Sequence, residues 1–215
     1  MTVETTVSYL LGGLVLTLQV AAGAWAVAVV FGLILALGRE TKAPGTRWPI
    51  LVTVTAMRSA PQLVVLYIFY FGLSSVGINL SPLVAAVLAL GITEAAYDSE
   101  YFRAGLLTVP QAQRDAAQSI GLSQFATFRL ITLPQAIPYV FPPLLNSFVG
   151  LLKAATLASA VGVDEILYRG QNLFQITGQV NEIVLIVMAI YVIFTIPLTK
   201  AIAIYERHLR ARVMA

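Results

Sequence analysis

Between Glu4 and Arg39 the chain carries no charged residue. A helix that crosses a bilayer needs about 20 predominantly apolar residues, and the run between those two charges is long enough to hold one with room to spare. The composition agrees. The chain of 215 residues is 59% hydrophobic and 11% charged, whereas a soluble domain carries roughly 25% charged residues. So few charges cannot clothe a water-facing surface, and lipid must be part of the solvent.

The fold class expected is therefore an all-α integral membrane protein, folded as one domain over 1–215. The apolar runs predict five transmembrane helices, at about 10–37, 50–73, 82–103, 138–161 and 183–204. Arg58 and Pro61 interrupt the second. The third runs into the charged "EAAYDSEYFR". The first charge, Glu4, follows no basic segment, and the apolar run behind it is too long for a cleaved signal, so a retained first span is expected. "DEILYRGQNLFQITGQVNE" is too polar to cross and has room for one short surface helix.

Lys and Arg in the loops set the orientation. With the N-terminus outside, Arg39, Lys42, Arg47, Arg103, Arg114, Arg129, Lys200, Arg207, Arg210 and Arg212 fall on the cytoplasmic side, and Arg169 is left outside with Glu4, Asp164, Glu165 and Glu182. The expected topology is N-out and C-in. The C-terminal arginines read as a cytoplasmic anchor, and no nucleic-acid partner is expected. The chain has no cysteine, and its single histidine, His208, lies in the tail. Thiolate metal sites, disulfides and histidine-based catalysis are thus disfavoured, and no metal site is expected.

One cytoplasmic stretch, "RDAAQSIGLSQFATFRLITLP" from Arg114 to Pro134, is too polar to span. Pro110 suits the first turn of a helix and Gly121 the position just past its end, which predicts a helix over about 110–121. Ala116, Ala117 and Ile120 give it a compact, mildly apolar side. Ser123 suits the cap of a second short helix, whose Phe125, Phe128 and Ile131 form an interfacial stripe before a stop at Pro134. From the residues alone, an ordinary amphipathic loop accounts for this stretch equally well.

The stretch also resembles the EAA loop of permease subunits of ATP-binding cassette importers: Glu-Ala-Ala, three residues, Gly, nine residues, Ile, any residue, Leu-Pro. Here Asp115-Ala116-Ala117, Gly121, Ile131, Leu133 and Pro134 keep every spacing, with Asp115 in place of the family's Glu. The resemblance narrows to the polar amino acid importers, the histidine/glutamine/arginine permease family. "AAYDSEYFRAGLLTVPQAQ" matches that family's pattern at Ala96, Tyr97, Glu100, Arg103, Gly105, Val109, Pro110 and Gln113. "RSAPQ" keeps Arg58 and Pro61 of its Arg-Gly-Thr-Pro segment. "PPLLNSFVGLLKAATLAS" keeps Pro143, Asn146, Lys153 and Leu157, while Ala154 and Ala155 replace an Asp and a Thr.

This resemblance implies a type I importer fold with a cytoplasmic coupling helix between helices 3 and 4. It implies that Arg114, Asp115, Ala116, Ala117, Gly121 and Leu122 couple to a cytoplasmic ATPase dimer. A second permease subunit, identical or paralogous, completes the pathway, and an extracytoplasmic binding protein delivers the solute. The setting implied is the bacterial plasma (inner) membrane, and the cargo a polar amino acid or a related zwitterion. The chain itself has no Gly-Lys pair and so no P-loop. It is expected to be no enzyme and to bind no cofactor, ATP and Mg belonging to the partner ATPase.

A charge inside a span costs ~2.5–3.5 kcal/mol on insertion scales and is a functional hypothesis by default. Arg58, Glu94, Asp98 and Lys153 qualify. Glu94 and Asp98 are four apart on one helix face, Asp98 close to the cytoplasmic interface. Glu94 has two open roles, meeting a substrate ammonium or neutralising Arg58. Glu100 and Arg103 are spaced to pair. Arg58, Glu94, Tyr97, Asn146 and Lys153 are the candidates for the substrate pathway. Two other classes remain on these residues: a secondary transporter or channel, for which no inverted repeat is visible, and an intramembrane enzyme using Glu94 and Asp98.

Overall fold

The computed structural model describes residues 2–39 and 44–213. Lys42 and the side chains of Arg210 and Arg212, counted above among the cytoplasmic charges, lie outside what is described. Every regular element among the described residues is helical. Val3–Arg39, Gln124–Val161 and Val180–Leu209 are long and apolar enough to cross a membrane. The pair Gly45–Ser59 and Gln62–Ser75, bent by 106°, makes a fourth candidate.

The first expected span, at about 10–37, is essentially α2 (Leu14–Arg39), preceded by a short helix α1 (Val3–Leu11) that the expected bounds left out. The break falls at Gly12-Gly13, where another segment crosses. A Cβ on Gly13 would lie 2.6 Å from the backbone of Glu165 and Ile166, so only glycine admits that crossing.

The core is the pair α2 and α6 (Pro82–Leu107). On α2 the buried positions include Ala24, Ala28, Gly32 and Ala36, four apart along one face. They meet Ala85, Ala89, Gly91, Ala95 and Ser99 on α6. A Cβ on Gly91 would sit 2.7 Å from Val27 Cβ, and one on Gly32 would sit 2.9 Å from Asp98 Cβ. Lipid tails supply no hydrophobic drive between helices, so close backbone packing through small residues holds such a pair together. α6 has 26 residues, length enough to cross, but Glu94, Asp98, Glu100 and Arg103 keep it out of the apolar set.

Between α2 and α6 the chain forms α3 (Pro44–Ser59), which begins six residues before the expected span, and α4 (Gln62–Tyr67). α4 runs on through a π-helical turn, Ile68–Gly72, to the single turn α5 (Leu73–Ser75). Pro61 sits at the bend in extended geometry, as a residue without an N–H donor favours. Val54 of α3 is buried and α3 packs along α6, while Trp48 and Val52 lie exposed.

After α6 come α7 (Gln111–Ser119) and α8 (Gln124–Thr127). The expected stop at Pro134 does not occur. α8 passes through a π-helical turn, Phe128–Thr132, into α9 (Leu133–Ala154) and a 3-10 turn, Ala155–Val161. Pro134 falls in the first turn of α9, where a missing N–H costs little, and the wider turn before it resets the hydrogen-bond register. The fourth run thus begins at Gln124, well before Pro138.

α10 (Ile166–Thr177) was expected at the surface. Instead Ile166 and Leu173 are buried with Leu10 of α1 and Ile183, Val187 and Ile190 of α11 (Val180–Val213). The rest of α11 presents exposed Leu185, Met188, Ile193 and Ile196, an apolar surface suited to lipid.

Candidate coupling and translocation surfaces

α7 stands on local chemistry. Pro110 precedes its first residue. At its far end Gly121 has φ +91°, the left-handed region that glycine enters without strain. Leu122 N–H donates to the Ala117 carbonyl and Gly121 N–H to that of Gln118, which closes the helix end. The Ser123 hydroxyl then accepts from Ala126 N–H at 3.2 Å and starts α8. Both local expectations hold.

The side-chain directions divide the six expected coupling residues. Asp115, Ala116 and Gly121 are exposed, as is Ile120 beyond them, with 80% of its surface free. Ala117 is buried, so Ala116 and Ala117 do not share the single apolar side expected of them. Leu122 is half-buried. Arg114 also turns inward, and one guanidinium N–H donates to the Leu106 carbonyl at the end of α6. Asp115 accepts from Gln111 at 2.8 Å and leaves the rest of its carboxylate open. The expected stripe divides as well: Phe125 is 71% exposed, while Phe128 packs against Leu106, Val109 and Ala136.

The charges of α6 separate by depth. Glu100 collects three arginines. Arg39 Nη1 lies 2.5 Å and Arg58 Nη1 3.6 Å from its Oε1, and Arg103 Nε 2.9 Å from its Oε2. The expected Glu100–Arg103 pair is present, and the carboxylate that partners Arg58 is Glu100 rather than Glu94. Tyr97 adds to this cluster, its hydroxyl donating to the Arg58 carbonyl at 2.8 Å, its ring 5.3 Å below the guanidinium.

Glu94, half-buried, has no ion pair or hydrogen bond to another described residue. Asp98 lies 0% exposed, close to Gly32 of α2, with the Ser147 side chain of α9 as its nearby polar group. It therefore neither snorkels to an interface nor forms an ion pair. On α9, Asn146 and Lys153 are exposed, and Gly150 between them has open space beside it. Positions 146, 150 and 153 share one helix face. The five pathway candidates thus split: Arg58 and Tyr97 belong to the Glu100 cluster, Glu94 is unpaired on α6, and Asn146 and Lys153 mark a polar face of α9.

Glu165 was not singled out by its sequence. It is 0% exposed and caps α10, accepting from Leu167 N–H at 2.9 Å and Tyr168 N–H at 2.7 Å, with the Tyr191 hydroxyl at 3.2 Å. Burial pushes its carboxyl up to about 7, against the opposing pull of those hydrogen bonds. An acidic residue followed by "ILYRGQNLF" is a legible N-cap signal, but its burial depends on the distant Gly13.

A helical chain whose long apolar helices pack through small residues, with a short polar helix outside them, is a multi-pass membrane protein. The model of the family described as "Binding-protein-dependent transport system inner membrane component" matches residues 28–214. A probable amino-acid ABC transporter permease protein, YckA of Bacillus subtilis (strain 168), is 38% identical over 159 residues, covering 74% of this chain and 70% of that protein. The L-cystine transport system permease protein TcyB of the same organism is 35% identical over 162 residues, 75% of this chain and 69% of that one. A solved chain of an amino acid ABC transporter crystallised with histidines superposes with a TM-score of 0.87 at 30% identity, covering 97% of this chain and all of that one. The MetNI methionine ABC transporter shares the fold, at a TM-score of 0.75 and 20% identity over 98% and 99% of the two chains. The chain belongs to this family of inner-membrane transport components, the permease subunits of ATP-binding cassette importers.

Proposed function

We propose that this chain forms, with a second permease subunit, the membrane pathway for a polar amino acid or related zwitterion, and that α7 is the helix through which a cytoplasmic ATPase dimer drives it. The observation that carries the reading is the coincidence of the Asp115-Ala116-Ala117-Gly121 spacing with an exposed short helix closed by a left-handed glycine. ATP and its Mg belong to the partner ATPase, and an extracytoplasmic binding protein hands over the solute. The relatives named as amino-acid and L-cystine permeases support that cargo class.

Five spans, with the N-terminus outside and the C-terminus inside the bacterial inner membrane, fit this reading. The bent pair α3–α5 serves as the second span, and α6 crosses as the third in spite of its charges, packed against α2 and α9. Asn146 and Lys153 on exposed α9 and the unpaired Glu94 on α6 are too costly to face lipid. They belong to the pathway or to the face covered by the second permease.

The test uses Gly121→Asp. At φ +91° a side chain costs about 1–2 kcal/mol locally, and the added carboxylate stands in the docking surface. The variant should insert normally, lose ATPase on co-purification and show reduced uptake; full ATPase retention with full coupled transport contradicts the reading. Orientation is checked separately with a cysteine at Ser123, available because the chain has none of its own. Labelling of that cysteine by an impermeant reagent outside intact cells would overturn the topology.

A further inference from the structure

Beneath α7 lies a cleft of about 230 Å³, walled by the ends of α2 and α6 and by α8. Two polar groups in its wall are buried without any hydrogen-bond partner: the Arg114 Nε–H and the Thr127 hydroxyl. Thr127 is 2% exposed. Thr93, Thr195 and Thr199 turn their hydroxyls back onto carbonyls of their own helices, but Thr127 does not. Arg114 takes part in none of the ion pairs among the described residues. Its neighbour Asp115 is exposed and does not line the cleft, and it accepts from Gln111. Gln118, Gln124 and Thr132, with Gln111 whose Nε2 is engaged by Asp115, complete the polar part of the lining.

Water can satisfy an orphaned N–H and hydroxyl. Water does not neutralise a half-buried guanidinium, and the Leu106 carbonyl to which it donates carries only a partial charge, so Arg114 is left without a counter-ion. A guanidinium and a hydroxyl donor that share one cleft with side-chain amides favour an oxyanion, because charge-assisted hydrogen bonds from Arg to such oxygens are among the strong ones. We infer that the cleft between Arg114 and Thr127 is a binding site for a small tetrahedral oxyanion, with inorganic phosphate as the simplest ligand. The anion bridges α7 to α8 across the Ile120–Ser123 turn and so fixes the angle at which α7 stands on the bundle. The site does not depend on which protein docks on the outer side of α7.

The experiment measures thermal unfolding of the full chain in nanodiscs of neutral phosphatidylcholine, titrated with inorganic phosphate at constant ionic strength in chloride. Phosphate should raise the midpoint saturably, by at least about 3 °C well above its dissociation constant. A parallel series in phosphatidylglycerol nanodiscs without phosphate separates the two sources of the same chemistry. A rise there alone, reduced by Arg114→Gln, keeps the site and makes its ligand a lipid phosphate. Arg114→Gln should abolish the phosphate response. Thr127→Val, nearly isosteric, should weaken apparent phosphate binding at least threefold. Gln118→Glu places a carboxylate in the cleft with Arg114 and should remove the phosphate response. No shift from either source, or a phosphate shift undiminished in both Arg114→Gln and Thr127→Val, overturns the proposal and leaves the cleft to water.

Discussion

Gln135 on the first turn of α9 donates from Nε2 to the Gln113 Oε1 of α7 at 2.8 Å, and the same nitrogen donates to the Ile131 carbonyl at 3.0 Å. This link ties the exposed short helix to a long apolar one, beside the Arg114–Leu106 link to α6. A push on α7 therefore reaches two long helices through specific polar contacts as well as through the chain.

If α7 is the coupling helix, Gln135→Leu should leave ATPase binding in place, because Gln135 belongs to α9 and not to α7. It should lower uptake per ATP hydrolysed by at least about twofold. A neutral hydrogen bond contributes about 1 kcal/mol, a roughly fivefold effect on the population of the linked arrangement. Uptake and ATPase rates measured together in proteoliposomes check this; an unchanged ratio means the link carries no motion.

The contact of α2 with α6 predicts a steep response to added volume. Gly91→Leu forces a side chain against Val27 and the Ala24 carbonyl, and overpacking of this kind typically costs 1–3 kcal/mol or more. Gly150→Ala, on the open face of α9, meets no atom within 4 Å and serves as the control. Thermal unfolding in nanodiscs should show a loss of several degrees for Gly91→Leu and little for Gly150→Ala.

Glu165 predicts a pH dependence. Its folded-state value, about 7, lies above the ordinary 4.5, so the folded protein holds its proton over a window in which the unfolded chain has released it. Stability should therefore fall as pH rises from about 4.5 to about 7 and level off above. Glu165→Gln should flatten that slope, while losing part of the α10 cap. Midpoints of unfolding at closely spaced pH values decide it; an equal slope in the variant assigns the dependence to other groups.

The parts of the structure legible in the sequence are those with local causes. Gly121 and Ser123 show their roles because a left-handed turn and an N-cap are decided within a few residues. The apolar runs reveal the long helices because length and composition are enough. Three features were not legible, two because they depend on distant partners and one because the local geometry is not set by residue type. The break at Gly12-Gly13 exists because Glu165 and Ile166 cross there. The continuity through Pro134 needs the π-helical turn before it, and residue types alone do not distinguish that from a stop. Arg58 reaches Glu100 because the chain bends by 106° near Pro61 and α3 lies along α6. The motif spacing marked the α7 region but not its inner and outer sides, which only the packing of Ala117 and Arg114 reveals.

That division gives the most direct measurement. Ala116 is exposed and Ala117, its neighbour, is buried beneath α7. Ala116→Asp puts a charge where the ATPase is proposed to sit and leaves the bundle untouched, whereas Ala117→Asp buries a charge in the permease itself. Each variant is expressed with the ATPase, and both the folded yield of the permease and the ATPase retained on it are measured. Ala116→Asp should give wild-type yield with at least about tenfold less ATPase, and Ala117→Asp should lose yield. Wild-type ATPase retention and coupled transport in a well-folded Ala116→Asp protein would contradict the account, because the exposed face of α7 would then not be where the ATPase sits.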